Sequence, residues 1–137
     1  MRLNVLLTGL SVGLVMAGGA VQAHHAFAAE FDVNQPIILK GIVAKAEWGN
    51  PHSWVYLDVT NEAGKTTTWA IECGAPNALL RRGWNKNSLP VGSEIVVDGY
   101  RAKNGWSTAN AKDITFPNGQ KIFMGSSGTG APYENKK

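Results

Sequence analysis

The chain has 137 residues, enough for one domain, and a formal net charge of +3. Its cations are scattered apart from Arg81-Arg82 and Lys136-Lys137, which is not the clustered basic footprint of a nucleic-acid binder. A single cysteine, Cys73, excludes an internal disulfide and leaves the fold to a hydrophobic core, small but adequate at this size.

The first stretch reads as a leader. Met1-Arg2 supplies a positive start, and Val5 to Met16 is an apolar run broken only by Thr8, Gly9, Ser11 and Gly13. Val21 and Ala23 stand where a signal peptidase requires small residues. The run is too short to span a bilayer comfortably. Residues 1–23 are therefore expected to be a cleavable secretory signal peptide, and no cysteine follows the run to carry a lipid anchor. The mature chain is expected to begin at His24 and to be periplasmic, with no transmembrane segment after cleavage. Export is a second argument against nucleic acid as a partner.

Residues 24–36 read as an irregular lead-in that ends at Pro36. From Ile37, "IILKGIVAKAEW" is rich in β-branched and aliphatic residues, and Gly41 marks a bulge or bend within that strand. "GNPH" is a turn. "SWVYLDVT" alternates, with Val55, Leu57 and Val59 on one face and Trp54, Tyr56 and Asp58 on the other, which is the period of a strand. "NEAG" closes a hairpin into "KTTTWAIE", where Thr67, Trp69 and Ile71 share a face. "APNALLRRGW" then predicts a short helix over 76–82. Pro76 suits its first turn, Gly83 its stop, and Arg81 and Arg82 complement the dipole in its last turn. "EIVVDGYRA" and "STANAKDITF" read as strands around the turn "KNGW", and "PNG" leads into a short final strand, "QKIFMG". The Gly/Ser/Pro-rich, charged tail, 126–137, is expected to be disordered.

Three strands, a helix and two or three further strands make the expected fold mainly β. The arrangement is a small OB-like antiparallel barrel of five to six strands over 37–125, with the helix between strands three and four. A β-sandwich is the alternative and explains the helix less well. The segments "GIVAKAEWGNPHSWVYLDV", "WAIE", "PNALLRRGW" and "VGSEIVVDGYRAKNG", together with "HHAFAAEFD" after the leader, resemble the exported bacterial proteins of domain-of-unknown-function family 6152. The resemblance covers nearly all of the mature chain. It implies a small exported β-rich domain and no particular activity, and it attaches no shared role to Cys73.

The chain has three histidines: His24, His25 and His52. Cleavage after Ala23 would give His24 a free α-amine, whose ordinary pKa of about 7.7–8.0 makes deprotonation near neutrality easy. Amine plus imidazole in a tetragonal set favours Cu(II). His24, His25 and His52 are thus candidate metal ligands and copper the candidate cofactor. Glu30, Asp32, Glu47 and Glu72 are available oxygen ligands that no spacing singles out. Against this stands the ordinary reading of a frayed, polar N-terminus behind a cleavage site.

Five tryptophans are many for so short a domain. Aromatic faces of OB barrels bind sugars or bases by stacking, although tryptophan more often fills cores. Trp54 and Tyr56, with Trp48 and Asn50 in the adjoining loop, form the candidate face for an unknown small molecule or periplasmic protein partner. Trp69 is assigned to the core, Arg81 and Arg82 to a solvated helix end, and Cys73 to a buried, inert thiol. No nucleophile elbow, phosphate loop, paired-carboxylate motif or Cys-x-x-Cys is present. The expectation is an exported, non-enzymatic binding protein. Its site is a copper site at the mature N-terminus or, alternatively, an adaptor face on the aromatic strand. An accessory role in a membrane or redox complex is a third reading.

Overall fold

The computed structural model describes residues 27–126 and 129–135. The expected leader, His24 and His25 lie outside the described residues. The strands are β1 (Phe31–Glu47), β2 (Trp54–Thr60), β3 (Thr66–Glu72), β4 (Glu94–Ala102), β5 (Thr108–Thr115) and β6 (Lys121–Phe123). One α-helix, α1 (Pro76–Arg81), lies between β3 and β4. No helix among the described residues is long and apolar enough to cross a membrane.

The 17-residue β1 is long enough to serve two partners. It pairs with β4 from Phe31 to Ile42 and with β2 from Ile42 to Glu47. β2 pairs with β3, β4 with β5, and β3 closes the ring by running parallel to β5 through Ala70↔Thr108, Ile71↔Ala109 and Glu72↔Asn110. The closed order is β1-β2-β3-β5-β4, with β6 added on β5. All pairings except β3–β5 are antiparallel. That order, with a helix between β3 and β4, is an OB-like barrel, as expected.

Period-two alternation fills the barrel. Leu39, Val43, Val55, Leu57, Ile71, Ile95, Val97 and Ile114 point inward and are buried. α1 adds Leu79, fully buried, and its bounds agree with the expectation: Pro76 opens it, and Gly83 just beyond it has φ +87°, the left-handed stop that glycine takes easily. Trp84 is buried and stacks on Phe116 at 5.6 Å between centroids.

Three expectations are corrected. Gly41 is not the bulge; the register shift lies between Val43 and Lys45. Gly41 instead sits where β1 changes partner, and a Cβ there would meet the Asp58 carbonyl oxygen at 2.3 Å. The lead-in is not irregular throughout, because residues 27–30 are helical and β1 already begins at Phe31. The reason is packing: Phe31 pairs with Ala102 and is buried with Phe27 in a second apolar cluster. The third correction concerns the tail. Pro132–Asn135 forms a 3-10 helix, and Ala131 and Tyr133 are buried in the same cluster. The Tyr133 ring meets Phe123 edge-on at 5.2 Å and lies 6.5 Å from Phe27. A Gly/Ser/Pro-rich composition hides such an anchor, since one aromatic residue supplies most of the buried area.

The close approach at Gly41 is testable. Gly41→Ala is expected to lower stability in urea by about 1–3 kcal/mol, as overpacking does. Gly49→Ala, with open space around it, is expected to stay within about 0.5 kcal/mol of the parent. Equal stability of the two variants would contradict the assigned approach of β2 to β1.

Candidate functional site

Residues directly opposite in a ladder project to the same side of the sheet. Trp54 opposes Glu72 and Tyr56 opposes Ala70, while the intervening Val55, Leu57 and Ile71 are buried inside the barrel. Trp54, Tyr56, Ala70 and Glu72 therefore share the outer face. The β3–β5 ladder extends this face to Thr108 and Asn110. It is flanked by the loop of residues 48–53 and the loop of residues 103–107, the two loops that border the ligand face of an OB barrel.

On this face lies a buried polar network. Glu72 is only 7% exposed and Asn110 only 1%. Asn110 Nδ2 donates to Glu72 Oε1 at 3.2 Å, and the Tyr133 hydroxyl donates to Asn110 Oδ1 at 2.8 Å. The Ser126 backbone N–H in turn donates to the Tyr133 oxygen at 3.2 Å. His52 Nδ1 stands 3.8 Å from Glu72 Oε1, 3.3 Å from the Cys73 carbonyl and 3.2 Å from Ser126 Oγ. The Ser126 hydroxyl also donates to the Cys73 carbonyl at 3.4 Å, so His52, Ser126 and Cys73 meet at one point. Glu72 Oε2 takes no hydrogen bond among the described residues.

Glu72 lines a cavity of about 240 Å³ whose walls also include Glu30, His52, Asn110, Phe27 and Phe31. A larger cavity, about 540 Å³, shares Glu30 and Phe31 and extends to Asn104 and Thr108. The chemistry is concentrated in the smaller one. The Lys103 ammonium on the wall of the larger cavity donates to the Ala28 carbonyl. Glu30 and Phe31 thus belong to the walls of both cavities, and the smaller one is called the groove below.

Burial lifts the Glu72 carboxyl above its ordinary value of 4.5. The His52 contact and the Asn110 hydrogen bond pull it back, while the Glu30 charge pushes it further up. Tyr133 is likewise held above its usual range by burial. Burial, with a smaller push from Glu72, raises the Cys73 thiol so far that it is inert, as expected from the sequence.

The candidate residues separate. Of the three histidines, only His52 is described, and it stands on the cavity wall. Among the described residues no group of three or more His, Cys, Asp or Glu side chains is placed to hold a metal ion. Trp54 and Tyr56 share the outer face as read, but Tyr56 is clamped: its hydroxyl donates to Glu47 Oε2 at 3.1 Å, and the Lys45 ammonium, itself paired with Glu47, lies over its ring. Trp48 packs against the core with its indole N–H buried and unpartnered among the described residues, and Asn50 is exposed. Trp69 packs on the edge of the core with the Arg101 guanidinium 5.4 Å from its ring centroid. Arg82 is not a solvated helix end, because its Nη1 donates to the Gly125 carbonyl at 2.8 Å and its guanidinium covers the Phe123 ring.

Sequence reasoning missed Asn110 and Tyr133 altogether and gave Glu72 no distinction among four acidic residues. One signal was available: an asparagine between two alanines inside a strand, where its type is disfavoured.

The raised Glu72 carboxyl has a defined consequence for stability. Between 4.5 and its raised folded value, the folded state holds a proton that the unfolded chain has released. Stability from this group therefore falls as pH rises through that window. Unfolding of the parent and of Glu72→Gln across the acid-to-neutral range is expected to show the parent losing ground to the variant as pH rises. A parent that gains instead would mean that His52 and Asn110 outweigh burial.

No curated protein matches the chain. Among solved structures, the N-terminal domain of PriB from Thermoanaerobacter tencongensis, described as dimeric, is similar at 20% identity and a TM-score of 0.41. The similarity covers 61% of this chain and 96% of that one. Residues 12–111 match the family of unknown function DUF6152, which is most of the sequence, and the chain belongs to that family.

Proposed function

We propose that this protein is an exported binding protein that holds a small ligand in the groove lined by Glu30, His52, Glu72 and Asn110. The observation that carries this reading is Glu72. A carboxylate removed from water is costly unless its oxygens are satisfied. Here Oε1 is held by Asn110, Oε2 takes no hydrogen bond among the described residues, and the side chain lines a cavity. Groups kept in this condition cluster at functional sites. Trp54 is the cross-strand neighbour of Glu72 on the same face, and Tyr56 is clamped by Glu47. The acidic walls disfavour a phosphate backbone, in line with the expectation that nucleic acid is not the partner. Export rests on the leader pattern of residues 1–23.

A fragment screen by NMR on the processed chain tests this. Hits are expected to shift the resonances of His52, Glu72 and Asn110 together. Hits that leave those three unmoved and scatter over the β1–β4 surface would overturn the reading.

One observation favours a second reading, in which the ligand is copper. Phe27 and His52 stand on the same cavity wall. His24 precedes Phe27 by three residues, at most about 10 Å of extended chain, and the His24 amine and ring and the His25 ring are the candidate ligands to join His52. A Cu(II) titration of protein shown by intact mass to begin at His24, followed by electron paramagnetic resonance, is expected to give a nitrogen-rich one-to-one signal that His24→Ala abolishes. Weak, loose uptake by correctly processed protein would end this reading and leave the groove.

A further inference from the structure

We infer that the ligand of the groove is a small organic ammonium cation, held by Glu72 and Glu30 against the rings of Phe27 and Phe31. The inference rests on the groove being the binding site and names the chemistry that fits it.

The lining of the smaller cavity carries two carboxylates and one imidazole and no lysine or arginine. The Glu30 side chain makes no hydrogen bond or ion pair among the described residues, so it adds a second acceptor to the lining that holds Glu72. An anion in this space would face both charges, and a neutral polar guest would leave their repulsion in place. A cation relieves it. The repulsion is felt at Glu72, since the Glu30 charge is one of the influences that raise its carboxyl. An ammonium group presents its protons as donors and has no acceptor of its own, which matches a set of open carboxylate oxygens.

The walls favour an organic cation over a metal ion. Phe27 and Phe31 are 4% and 3% exposed and line the cavity. Aromatic rings attract ammonium groups, and more strongly where water is excluded. A metal ion needs several converging donors, and the described residues bring no three of them together. At about 240 Å³ the cavity lies below the range of about 300–1,000 Å³ that suits drug-sized molecules. It fits the head of a small amine, whose remainder extends past Glu30 into the adjoining space beside Asn104 and Thr108.

Glu72 is also held in position from behind. Asn110 is fixed by the Tyr133 hydroxyl, and it fixes Oε1, so the carboxyl is held in place before any ligand arrives. Such preorganisation removes an ordering cost from binding.

The test is an NMR titration of the processed chain with 2-phenylethylamine and with 2-phenylethanol, two probes of the same shape and different charge. The amine is expected to shift His52 and Asn110 and to bind about tenfold more tightly than the alcohol, the scale of one charge-assisted contact. Glu72→Gln is expected to erase that preference. Glu30→Gln, at an exposed position that the fold does not depend on, is expected to reduce it several-fold, which keeps the test decisive should Glu72→Gln fold poorly. Equal binding of amine and alcohol at those residues would overturn the ammonium assignment and leave the groove intact as a site. Failure of the amine to shift His52 and Asn110 would also overturn it, and the fragment screen then decides separately whether the groove binds anything.

Discussion

The parallel ladder between β3 and β5 is the constraint on which the rest depends. It consists of three residue pairs, Ala70↔Thr108, Ile71↔Ala109 and Glu72↔Asn110, yet it converts an open sheet into a closed ring. Closure requires bends elsewhere, and glycine provides them. At Gly99, beside the register shift of β4, a Cβ would stand 2.1 Å from the Asn110 carbonyl oxygen, and Gly41 is as tight against β2. The inner member of the ladder, Ile71↔Ala109, belongs to the core. The last outer member, Glu72↔Asn110, is the polar pair of the candidate site. The contact that shuts the barrel thus also brings its most buried carboxylate to its most buried amide.

A polar pair on an outer barrel face would ordinarily lie in water. Here two terminal segments cover it. Phe27 and Phe31 arrive from one end of the chain and Ala131 and Tyr133 from the other, and they pack together with Ala102. Tyr133 joins both kinds of interaction, with its ring in the apolar cluster and its hydroxyl on Asn110. The Glu134 carboxylate in turn accepts from the backbone N–H groups of Thr129 and Gly130, which holds the turn that delivers Tyr133. The low-dielectric surroundings of Glu72 are therefore made by segments from opposite ends of the sequence. In such surroundings each satisfied hydrogen bond counts for more, and each unsatisfied oxygen is worth more to a ligand that can reach it.

The barrel was legible because its signals are local and periodic. Val55, Leu57 and Ile71 alternate with outward residues, Pro76 and Gly83 bracket the helix, and Gly64 sits in the hairpin turn with φ +80°. The site was not, because its parts are brought together by closure and by the covering segments. Glu72 and Asn110 lie 38 residues apart, and no spacing in the sequence marks them as neighbours. Tyr133 is a lone aromatic residue in a stretch whose composition reads as disorder. His52 was picked out for its type, and its setting explains its position better than its type did: the Asn50-Pro51 turn carries it back over Cys73, where it meets Glu72.

The tryptophans illustrate the same point from the other side. Their number suggested a stacking surface, but Trp84 is core, and Trp48 and Trp69 pack on the edge of it. Trp106 is 72% exposed in the loop of residues 103–107, remote from any ring partner among the described residues. Only Trp54 stands on the face that matters, and it does so because the β2–β3 register sets it opposite Glu72. An aromatic count measures how much apolar area a chain can bury, whereas recognition depends on which polar groups that area deprives of water. In this fold the area that matters comes from Phe27, Phe31 and Tyr133 rather than from the tryptophans. The groups deprived of water are a carboxylate and its amide support, so charge is the basis of the selectivity proposed for the groove, with the rings supplying the dry surroundings that give the charge its strength.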